Sequence, residues 1–302
     1  MEIEDIKNFK SEIKGKLLFD YSIKNLNWFN IGSLTKVFFK PDSLDELIKF
    51  LKIYKRRGKI FILGAGSNVL FSDKTFEGVI IKLGKIFNKI SLLNEIKVIA
   101  GSNVLDKNLS EFCRDNEISG MEFLSCIPGT IGGGIKMNSG CYNKEFKDIL
   151  MSVQAVDFDG NLRTINSKEI DFKYRNTNIP KDLIFLSATL VGEKKSKQFI
   201  GDKIKKLKTN KEKTQPSRIK TGGSTFKNPL NITKKKAWEL IKESVQENIK
   251  FGDAEISNYH SNFFVNKNNA KSEDMLRLIE FTKKEVEKKF NIQLELEIVI
   301  VD

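Results

Sequence analysis

The chain has 302 residues, of which 40% are hydrophobic and 30% charged, and its formal net charge is +13. This length predicts more than one hydrophobic core, and the low counts of glycine (20) and proline (5) argue against a disordered or collagen-like protein. The excess of lysine fits either a solvated surface in a lysine-rich composition or a positive field that attracts nucleic acid or smaller anionic ligands.

Targeting signals and cysteine usage favour a cytoplasmic protein. The N-terminal segment, residues 1–19, lacks an apolar block of signal-peptide length, and no stretch approaches the roughly 20 apolar residues of a membrane span. The three cysteines, Cys113, Cys126 and Cys141, form no CxxC pair and fit a reducing compartment. His260, the one histidine, has no partner at metal-ligand spacing and no serine-triad pattern, so the sequence predicts no metal site.

Helix and strand patterns alternate in the first third of the chain. Ser43 and Glu46 form a capping box, and apolar residues then recur at helical spacing. Residues 59–63 predict a buried strand that ends at Gly64, and residues 79–81 continue the strand pattern.

The middle of the chain combines strands with a long glycine-rich segment. Residues 98–100 and 183–190 predict strands, and residues 105–113 predict a short amphipathic helix. Gly120 to Gly140 predicts a loop, and Asp159-Gly160 between two apolar runs predicts a hairpin.

Lysine-rich polar sequence from about Val191 to Lys220 indicates a boundary before the last part of the chain. That part predicts a helix at residues 237–244, a second helix that begins at Ser272, and an alternating terminal strand at residues 294–301. The predicted domains are residues 1–90, 91–195 and 196–302.

Two small-residue segments are suited to phosphate groups. The first, Gly64-Ala65-Gly66-Ser67-Asn68, opens no amphipathic helix and so does not match a dinucleotide fingerprint, but its backbone N–H groups can approach an anion. The second is Ile127-Pro128-Gly129-Thr130-Ile131-Gly132-Gly133, which is followed by Asn138-Ser139-Gly140. Together they suit the two phosphates of FAD, although ordinary tight turns explain the glycines as well.

Three further positions carry chemically useful side chains. Tyr174-Arg175 sets a permanent cation beside a phenol and suits an anionic group, unless Arg175 is a solvated surface residue. Ser224 lies on a glycine-supported turn, where it serves either as a proton donor or as a turn residue. Glu295 and Glu297 share one face of the terminal strand, which is either an acidic wall of a cleft or a solvated edge.

Taken in chain order, these segments resemble the UDP-N-acetylenolpyruvoylglucosamine reductase family over nearly the whole chain. Ser33, Cys126, Lys136 and Lys213 depart from the residues that are common in that family, and none of them removes a catalytic group. The resemblance rests on Trp28–Gly32, Leu63–Asn68, Gly120–Phe123, Ile127–Gly133, Met137–Gly140, Tyr174-Arg175, Gly223–Pro229, Gly252–Ala254, Asn262–Asn266 and Leu294–Glu297.

The resemblance implies an α+β fold with a two-lobed FAD-binding domain of the vanillyl-alcohol-oxidase type and a C-terminal α+β substrate-binding domain. It also implies bound FAD, NADPH as co-substrate, and reduction of UDP-N-acetylglucosamine enolpyruvate to UDP-N-acetylmuramate for peptidoglycan synthesis. No tyrosine occurs between Tyr174 and Tyr259, which resembles the shorter subclass without a tyrosine-bearing substrate loop. We expect no nucleic-acid, membrane or obligatory protein partner.

Carried over by position, the resemblance assigns Ser224 as proton donor to the enol intermediate, with Arg175 and Glu297 polarising the substrate carboxylate. Glu295 is the alternative to Glu297, because spacing alone does not separate them. The substrate-binding residues implied are Tyr174, Lys227 and Asn228. The cofactor-binding residues implied are Gly64, Ala65, Gly66, Ser67, Asn68, Ile127, Pro128, Gly129, Thr130, Gly132, Gly133, Asn138, Ser139 and Gly140.

Two other functions stay open from the sequence. An FAD-dependent oxidoreductase of the same fold with a different substrate shares most of these segments. A basic RNA-binding module fits the net charge, but the aromatic-rich strings of RNA-binding domains, and GXXG loops in the setting of a KH domain, are lacking.

Overall fold

A computed structural model describes residues 4–215 and 219–302, so the start of the N-terminal segment and part of the lysine-rich stretch lie outside the described residues. By internal contacts the chain divides into two units. Unit 1 comprises Met1–Phe19, Val37–Ala65 and Glu77–Lys211; unit 2 comprises Asp20–Lys36, Gly66–Phe76 and Glu212–Asp302. The three predicted domains, residues 1–90, 91–195 and 196–302, stay a prediction.

The helices and strands of the described residues have the following bounds. The helices are α1 Glu4–Phe9, α2 Leu44–Tyr54, α3 Asp106–Asp115, α4 Ile131–Lys136, α5 Lys197–Glu212, α6 Ala237–Ser244 and α7 Ser272–Phe290. The strands are β1 Lys16–Ser22, β2 Leu34–Lys40, β3 Lys59–Ile62, β4 Val69–Phe71, β5 Phe76–Ile81, β6 Ile90–Leu92, β7 Lys97–Gly101, β8 Ile118–Ser119, β9 Gly140–Cys141, β10 Lys144–Glu145, β11 Leu150–Asp157, β12 Leu162–Asn166, β13 Phe172–Lys173, β14 Asn176–Thr177, β15 Leu183–Val191, β16 Glu193–Lys194, β17 Thr221–Ser224, β18 Lys250–Phe251, β19 Ala254–Ile256, β20 Phe263–Asn266 and β21 Val299–Val301.

A four-stranded sheet in the order β1-β2-β5-β3 forms the first layer, and β3 runs parallel to β5. Helix α2 packs its buried Leu47, Phe50 and Leu51 into the associated core. The predicted strand at residues 59–63 is confirmed, but its predicted burial is wrong. Strand β3 is a half-buried edge strand, because it has a sheet neighbour on one side only.

The second core of unit 1 lies against a five-stranded antiparallel sheet in the order β12-β11-β15-β7-β6. The hairpin predicted at Asp159-Gly160 is confirmed as the β11–β12 connection. The buried Asp157 carboxylate holds this turn by accepting hydrogen bonds from the backbone N–H groups of Asp159 and Asn161, at 3.0 and 2.8 Å. Gly160 has φ +87°, which is why glycine suits that position.

Three helices of unit 1 are absent from the sequence prediction, namely the short α1 and helices α4 and α5. Helix α4 lies inside the glycine-rich segment that predicted only loop. Helix α5 occupies the lysine-rich stretch that predicted a boundary, and it buries Ile200 and Ile204. Its lysines pair with acidic side chains of the same unit, as in Lys203 Nζ to Glu122 Oε2 at 3.3 Å.

Unit 2 is built on the antiparallel sheet β17-β20-β19-β18 and on helices α6 and α7, which share one core. The predicted helices at 237–244 and from Ser272 are confirmed. The predicted terminal strand is wrong in extent, because only β21 forms, and β21 pairs in parallel with β4. The burial pattern shifts with that pairing, so that Val301 rather than Ile300 is buried.

Within residues 4–215 and 219–302, no helix combines the length and the apolar character needed to cross a membrane.

Candidate functional site

In unit 1, the first glycine turn begins directly after β3 and packs against the second glycine segment. A Cβ atom added to Gly64 would lie 2.5 Å from Thr130 Oγ1, so this position accepts only glycine without a shift. The Lys82 ammonium donates a hydrogen bond to the Gly64 carbonyl. Burial, followed by the charge of Lys40, lowers the pKa of Lys82. The unit therefore places a half-buried cation at the base of the turn.

The second glycine segment turns into helix α4 and packs tightly on its protein side. The Gly132 N–H donates to the Ser102 carbonyl at 2.8 Å, and a Cβ on Gly134 would lie 2.2 Å from the Phe146 ring. Gly133 differs, because it is exposed and an added Cβ would meet only Thr130 Oγ1, at 3.5 Å. Packing therefore explains Gly132 and Gly134 but not Gly133, whose bare backbone is open to a ligand.

Several buried polar atoms near these segments have no hydrogen-bond partner within the described residues. They include the hydroxyls of Ser102 and Ser139 and both carboxylate oxygens of Asp106. Asp106 is fully buried, and a Cβ on Gly129 would lie 2.6 Å from its Oδ2 atom. Burial raises the pKa of Asp106 well above its ordinary value, which favours the neutral acid over the carboxylate.

Arg175 is held by a polar network that also contains Asn138. Arg175 lies in the two-residue turn between β13 and β14 with φ +53°, and its guanidinium donates to the Gly140 carbonyl at 2.7 Å. Glu145 Oε1 lies 3.7 Å from the same guanidinium, and Glu145 Oε2 accepts from the Asn138 amide at 3.0 Å. The Arg175 guanidinium also stacks over the Tyr174 ring, 4.9 Å from its centroid.

The Asn138 side chain is fully used by the protein. Its amide nitrogen donates to Glu145 and to the Lys173 carbonyl, and its amide oxygen accepts from the Lys147 N–H. With a buried side chain and φ +42°, Asn138 ties the end of the glycine segment to the hairpin that carries Arg175. Any contact of Asn138 with a cofactor must therefore come from its backbone.

In unit 2, Gly66 packs against Leu26, and Asn68 is hydrogen-bonded to the terminal segment. Gly66 has φ +69°, and an added Cβ would lie 2.2 Å from the Leu26 carbonyl oxygen. Both the backbone conformation and the lack of space therefore require glycine here. The Asn68 amide donates to the Glu297 carbonyl at 2.9 Å, and the Val299 N–H donates to the Asn68 carbonyl at 2.9 Å. Asn68 thus fixes the backbone that carries Glu297.

Ser224 ends strand β17 beside two glycines with different roles. Gly222 packs against the Phe29 ring, which would lie 2.4 Å from a Cβ atom added to this glycine. Gly223 has φ +78°, and a Cβ atom added there would meet nothing within 4 Å. The buried Asn262 side chain then grips the Phe226 backbone, accepting from its N–H at 3.0 Å and donating to its carbonyl at 2.8 Å. This clamp sets the path of residues 224–227.

The two candidate carboxylates differ in surroundings. The terminal segment runs antiparallel to residues 225–227, with the Glu297 N–H donating to the Thr225 carbonyl and the Lys227 N–H to the Glu295 carbonyl, each at 2.8 Å. The Glu295 side chain is 77% exposed and pairs with the Lys227 ammonium at 3.3 Å. Glu297 is half-buried. Burial and position therefore separate two residues that spacing leaves equivalent.

The structure thus brings the predicted residues together in two sets. In unit 1, Gly64 touches the 127–133 segment, and residues 138–140 adjoin Arg175. In unit 2, the strand of Ser224 lies beside that of Glu297, and Asn68 binds the latter. Asn228 has a structural task, since its Oδ1 accepts from the Ala237 N–H at the start of α6, at 3.0 Å.

Comparison with known proteins decides the family. The chain is 58% identical to a UDP-N-acetylenolpyruvoylglucosamine reductase of Pelagibacter ubique, and the match covers 100% of both chains. It belongs to the UDP-N-acetylenolpyruvoylglucosamine reductase family. The protein of the same name from Rickettsia typhi is 44% identical over 95% of this chain and 96% of its own. The family's C-terminal domain matches residues 215–301, and an FAD binding domain matches residues 35–166.

The fold agrees with this family. A crystal structure of UDP-N-acetylenolpyruvylglucosamine reductase from Thermus caldophilus superposes with a TM-score of 0.81 at 26% identity, covering 96% of this chain and 100% of that one. The predicted α+β fold with an FAD-binding domain and a C-terminal domain of this family is confirmed. FAD is therefore the cofactor of this family member, and the open Gly133 backbone and unpartnered Ser139 hydroxyl fit an anionic dinucleotide.

Sequence reasoning missed four residues that shape the two sets. Lys82 and Asp106 have no local signal, because each acts on a glycine far away in sequence. Glu145 looks like any surface acid in the sequence. Asn262 lies in a segment that carried the resemblance, and an asparagine before a strongly apolar strand was the available hint.

Proposed function

We propose that this protein reduces UDP-N-acetylglucosamine enolpyruvate to UDP-N-acetylmuramate in the cytoplasm, with NADPH as the reductant and without a nucleic-acid or obligatory protein partner. FAD held by the two glycine segments would supply the hydride-transfer chemistry between NADPH and the enolpyruvyl group. The observation that carries the proposal is the full-length identity of 58% to a reductase named for this substrate.

For cofactor binding, we propose that the two glycine segments hold the FAD pyrophosphate. The residues in this role are Gly64, Ala65, Gly66, Ser67, Asn68, Ile127, Pro128, Gly129, Thr130, Gly132, Gly133, Asn138, Ser139 and Gly140. Support comes from Gly133, which has no packing reason to be glycine, and from the unpartnered Ser139 hydroxyl. Backbone N–H groups in such segments act as fixed partial charges for an anion.

For the proton transfer, we propose Ser224 as the donor to the carbon next to the carboxylate of the substrate. Its half-buried hydroxyl follows Gly223, around which the structure leaves open space. The Asn262 clamp on Phe226 restricts the strand that carries Ser224. Because Ser224 is already held in place, it loses little conformational entropy when the substrate binds, and this favours proton transfer.

We propose that Arg175 and Glu297 polarise the substrate carboxylate and stabilise the charge that develops beside it. Arg175 is 15% exposed and is already oriented by Gly140 and Glu145, so its charge is pre-organised. Glu297 is preferred over Glu295, because Glu295 is exposed and engaged with Lys227. Tyr174, Lys227 and Asn228 complete the proposal as substrate-binding residues.

The role of Ser224 is tested by following the two half-reactions separately under anaerobic conditions. In Ser224→Ala we expect NADPH to bleach the flavin at the wild-type rate, while reoxidation by the enolpyruvyl substrate slows by about 10²-fold or more. Ser257→Ala, a serine substitution in the same unit, is the matched control and should change neither rate. Equal losses in both half-reactions would contradict the proton-donor role.

The choice of carboxylate is tested in the same assay. Glu297→Gln should slow reoxidation by at least about tenfold, whereas Glu295→Gln should change it by less than about threefold, because an exposed ion pair contributes little. A larger loss in Glu295→Gln than in Glu297→Gln would reverse the assignment.

A further inference from the structure

Cys126 and Cys141 lie at the two ends of the second glycine segment. Cys126 ends the 3₁₀ turn Glu122–Cys126 directly before Ile127, and Cys141 follows Gly140 in strand β9. The Cys141 thiol donates to the Phe123 carbonyl of that turn at 3.3 Å. Strand β9 packs against this turn, so the Cys141 thiol lies beside the segment that ends at Cys126. The fold thus brings together two thiols that are 15 positions apart in the sequence (141 − 126).

The surroundings make the two thiols unequal. The neighbouring Cys141 thiol, the Ser125 hydroxyl and the positive charges of Lys211 and Lys208 lower the pKa of Cys126 against the opposing effect of burial. The Lys211 ammonium lies close enough to donate to the Cys126 carbonyl, at 2.7 Å. The neighbouring Cys126 thiol and burial raise the pKa of Cys141, against the weaker opposing charges of Lys211 and Arg175. Of the two thiols, Cys126 therefore ionises more readily than Cys141.

The third cysteine provides an internal comparison. Cys113 is fully buried in α3, and burial together with the Glu122 charge raises its pKa to about 12. A thiol rather than a thiolate reacts slowly with oxidants. Cys113 therefore serves as an unreactive reference in the same molecule.

We propose that Cys126 and Cys141 form a hydrogen-peroxide-sensitive dithiol, in which Cys126 is oxidised first and Cys141 then closes a disulfide. The Cys126 sulfur attacks one peroxide oxygen; the S–O bond forms, the O–O bond breaks, and the second oxygen takes a proton and leaves as water. The Cys141 sulfur then attacks the sulfenic sulfur, with loss of its proton; the S–S bond forms and the S–O bond breaks, releasing a second water. Two thiols are oxidised and one peroxide is reduced.

Access favours a small oxidant. Cys126 is 6% exposed and Cys141 is half-buried, so hydrogen peroxide can reach the pair more readily than a bulky disulfide such as oxidised glutathione. The disulfide would join the two ends of the segment that we propose holds FAD. The thiol chemistry itself does not depend on that proposal, and its test uses a readout other than enzyme activity.

The experiment treats the FAD-loaded protein with hydrogen peroxide, alkylates free thiols in denaturant, and maps tryptic peptides by mass spectrometry. Cleavage after Lys136 separates the two cysteines into different peptides, so a disulfide appears as a linked pair. We expect residues 115–136 linked to residues 137–144, while Cys113 stays alkylated and reacts at least about tenfold more slowly.

Two variants distinguish the two roles, and a third serves as control. In Cys141→Ser, dimedone should trap a sulfenic acid at Cys126, because the thiol that resolves it is gone; in Cys126→Ser, Cys141 should stay reduced at the same dose. Cys113→Ser should form the disulfide as the wild type does. Full alkylation of both cysteines in oxidised wild-type protein, or oxidation of Cys113 at a similar rate, would overturn the proposal.

Discussion

Asp106 is a carboxylic acid that the folded protein separates from water and from hydrogen-bond partners among the described residues. It begins helix α3, and its backbone N–H donates to the Gly129 carbonyl at 3.1 Å, while its side chain meets the same glycine. Burial raises the pKa of Asp106 above its ordinary value of 3.8. Ionising this group costs free energy in the folded state only, so folding is linked to pH.

Because the folded-state pKa is raised, the folded protein binds the Asp106 proton more tightly than the unfolded chain does. This contribution to stability is therefore complete below the unfolded pKa and is lost as pH rises through the folded pKa, by at most about 1.4 kcal/mol per pH unit. We predict that Asp106→Asn reduces the loss of stability between about pH 5 and about pH 8, as measured by urea unfolding. The exposed Asp171→Asn on the β13–β14 hairpin is the control. Parallel losses in wild type and Asp106→Asn would refute the linkage.

At the level of single residues, sequence patterns identified side chains but not their neighbours. Ser224 and Arg175 stood out because glycines or an aromatic residue flank them. The tasks of Asn138 and Asn228 as structural anchors, and the presence of Glu145 beside Arg175, depend on contacts between segments that only folding brings together. No local pattern encodes such contacts.

Helix α2 shows how one acidic side chain can organise several backbone segments. The Ser43 hydroxyl accepts from the Glu46 N–H at 3.1 Å, which confirms half of the predicted capping box. The Glu46 carboxylate does not accept the hydrogen bond from the Ser43 N–H that would complete the box. It accepts instead from the N–H groups of Asp42, Lys14 and Gly15, at 2.8, 2.7 and 3.2 Å.

This geometry predicts that Glu46→Ala destabilises the protein more than Ser43→Ala does. Removing three charge-assisted hydrogen bonds should lower the free energy of unfolding by about 2–3 kcal/mol, against about 1 kcal/mol for the loss of the helix cap. Asp45→Asn, an exposed change in the same helical turn, should cost less than about 0.5 kcal/mol. Chemical denaturation of the three variants measures this order. A loss in Glu46→Ala no larger than that in Ser43→Ala would show that the bonds to Lys14 and Gly15 contribute nothing.

Elements with a strong local signal were predictable, and those that depend on distant partners were not. Helices α2, α6 and α7 have clear apolar faces and begin where the sequence places them. Helix α5 has only Ile200 and Ile204 buried, and its lysines depend on acids such as Glu111 and Asp115. Helix α4 carries three glycines, so helix propensity alone argues against it, and close packing against Ser102 and Phe146 explains only Gly132 and Gly134.

For the molecule as a whole, the high positive charge is consistent with the FAD of this family and with the anionic ligands proposed above. Part of the charge is compensated within unit 1, for example between Lys197 and Asp115 at 2.9 Å. FAD, NADPH and a nucleotide sugar are all anionic, so a net charge of +13 favours their capture at low ionic strength.

Cofactor binding should then appear in the stability of the entire protein. FAD binds the folded state, so FAD at about 100 times its Kd should add about 2.7 kcal/mol to the stability of the apoprotein and raise Tm by about 5 °C.

Gly133→Ala should leave the Tm of the apoprotein unchanged or slightly higher, because an added methyl group meets only Thr130. The same substitution should reduce the FAD-dependent shift in Tm by at least half. Gly134→Ala should behave in the opposite way, lowering the Tm of the apoprotein, because its methyl group collides with Phe146. Thermal unfolding with and without FAD separates the two effects, with FMN as the control ligand that lacks the pyrophosphate. An undiminished FAD shift in Gly133→Ala would mean that the open face of this helix does not meet the cofactor, and the second glycine segment would lose its assigned role.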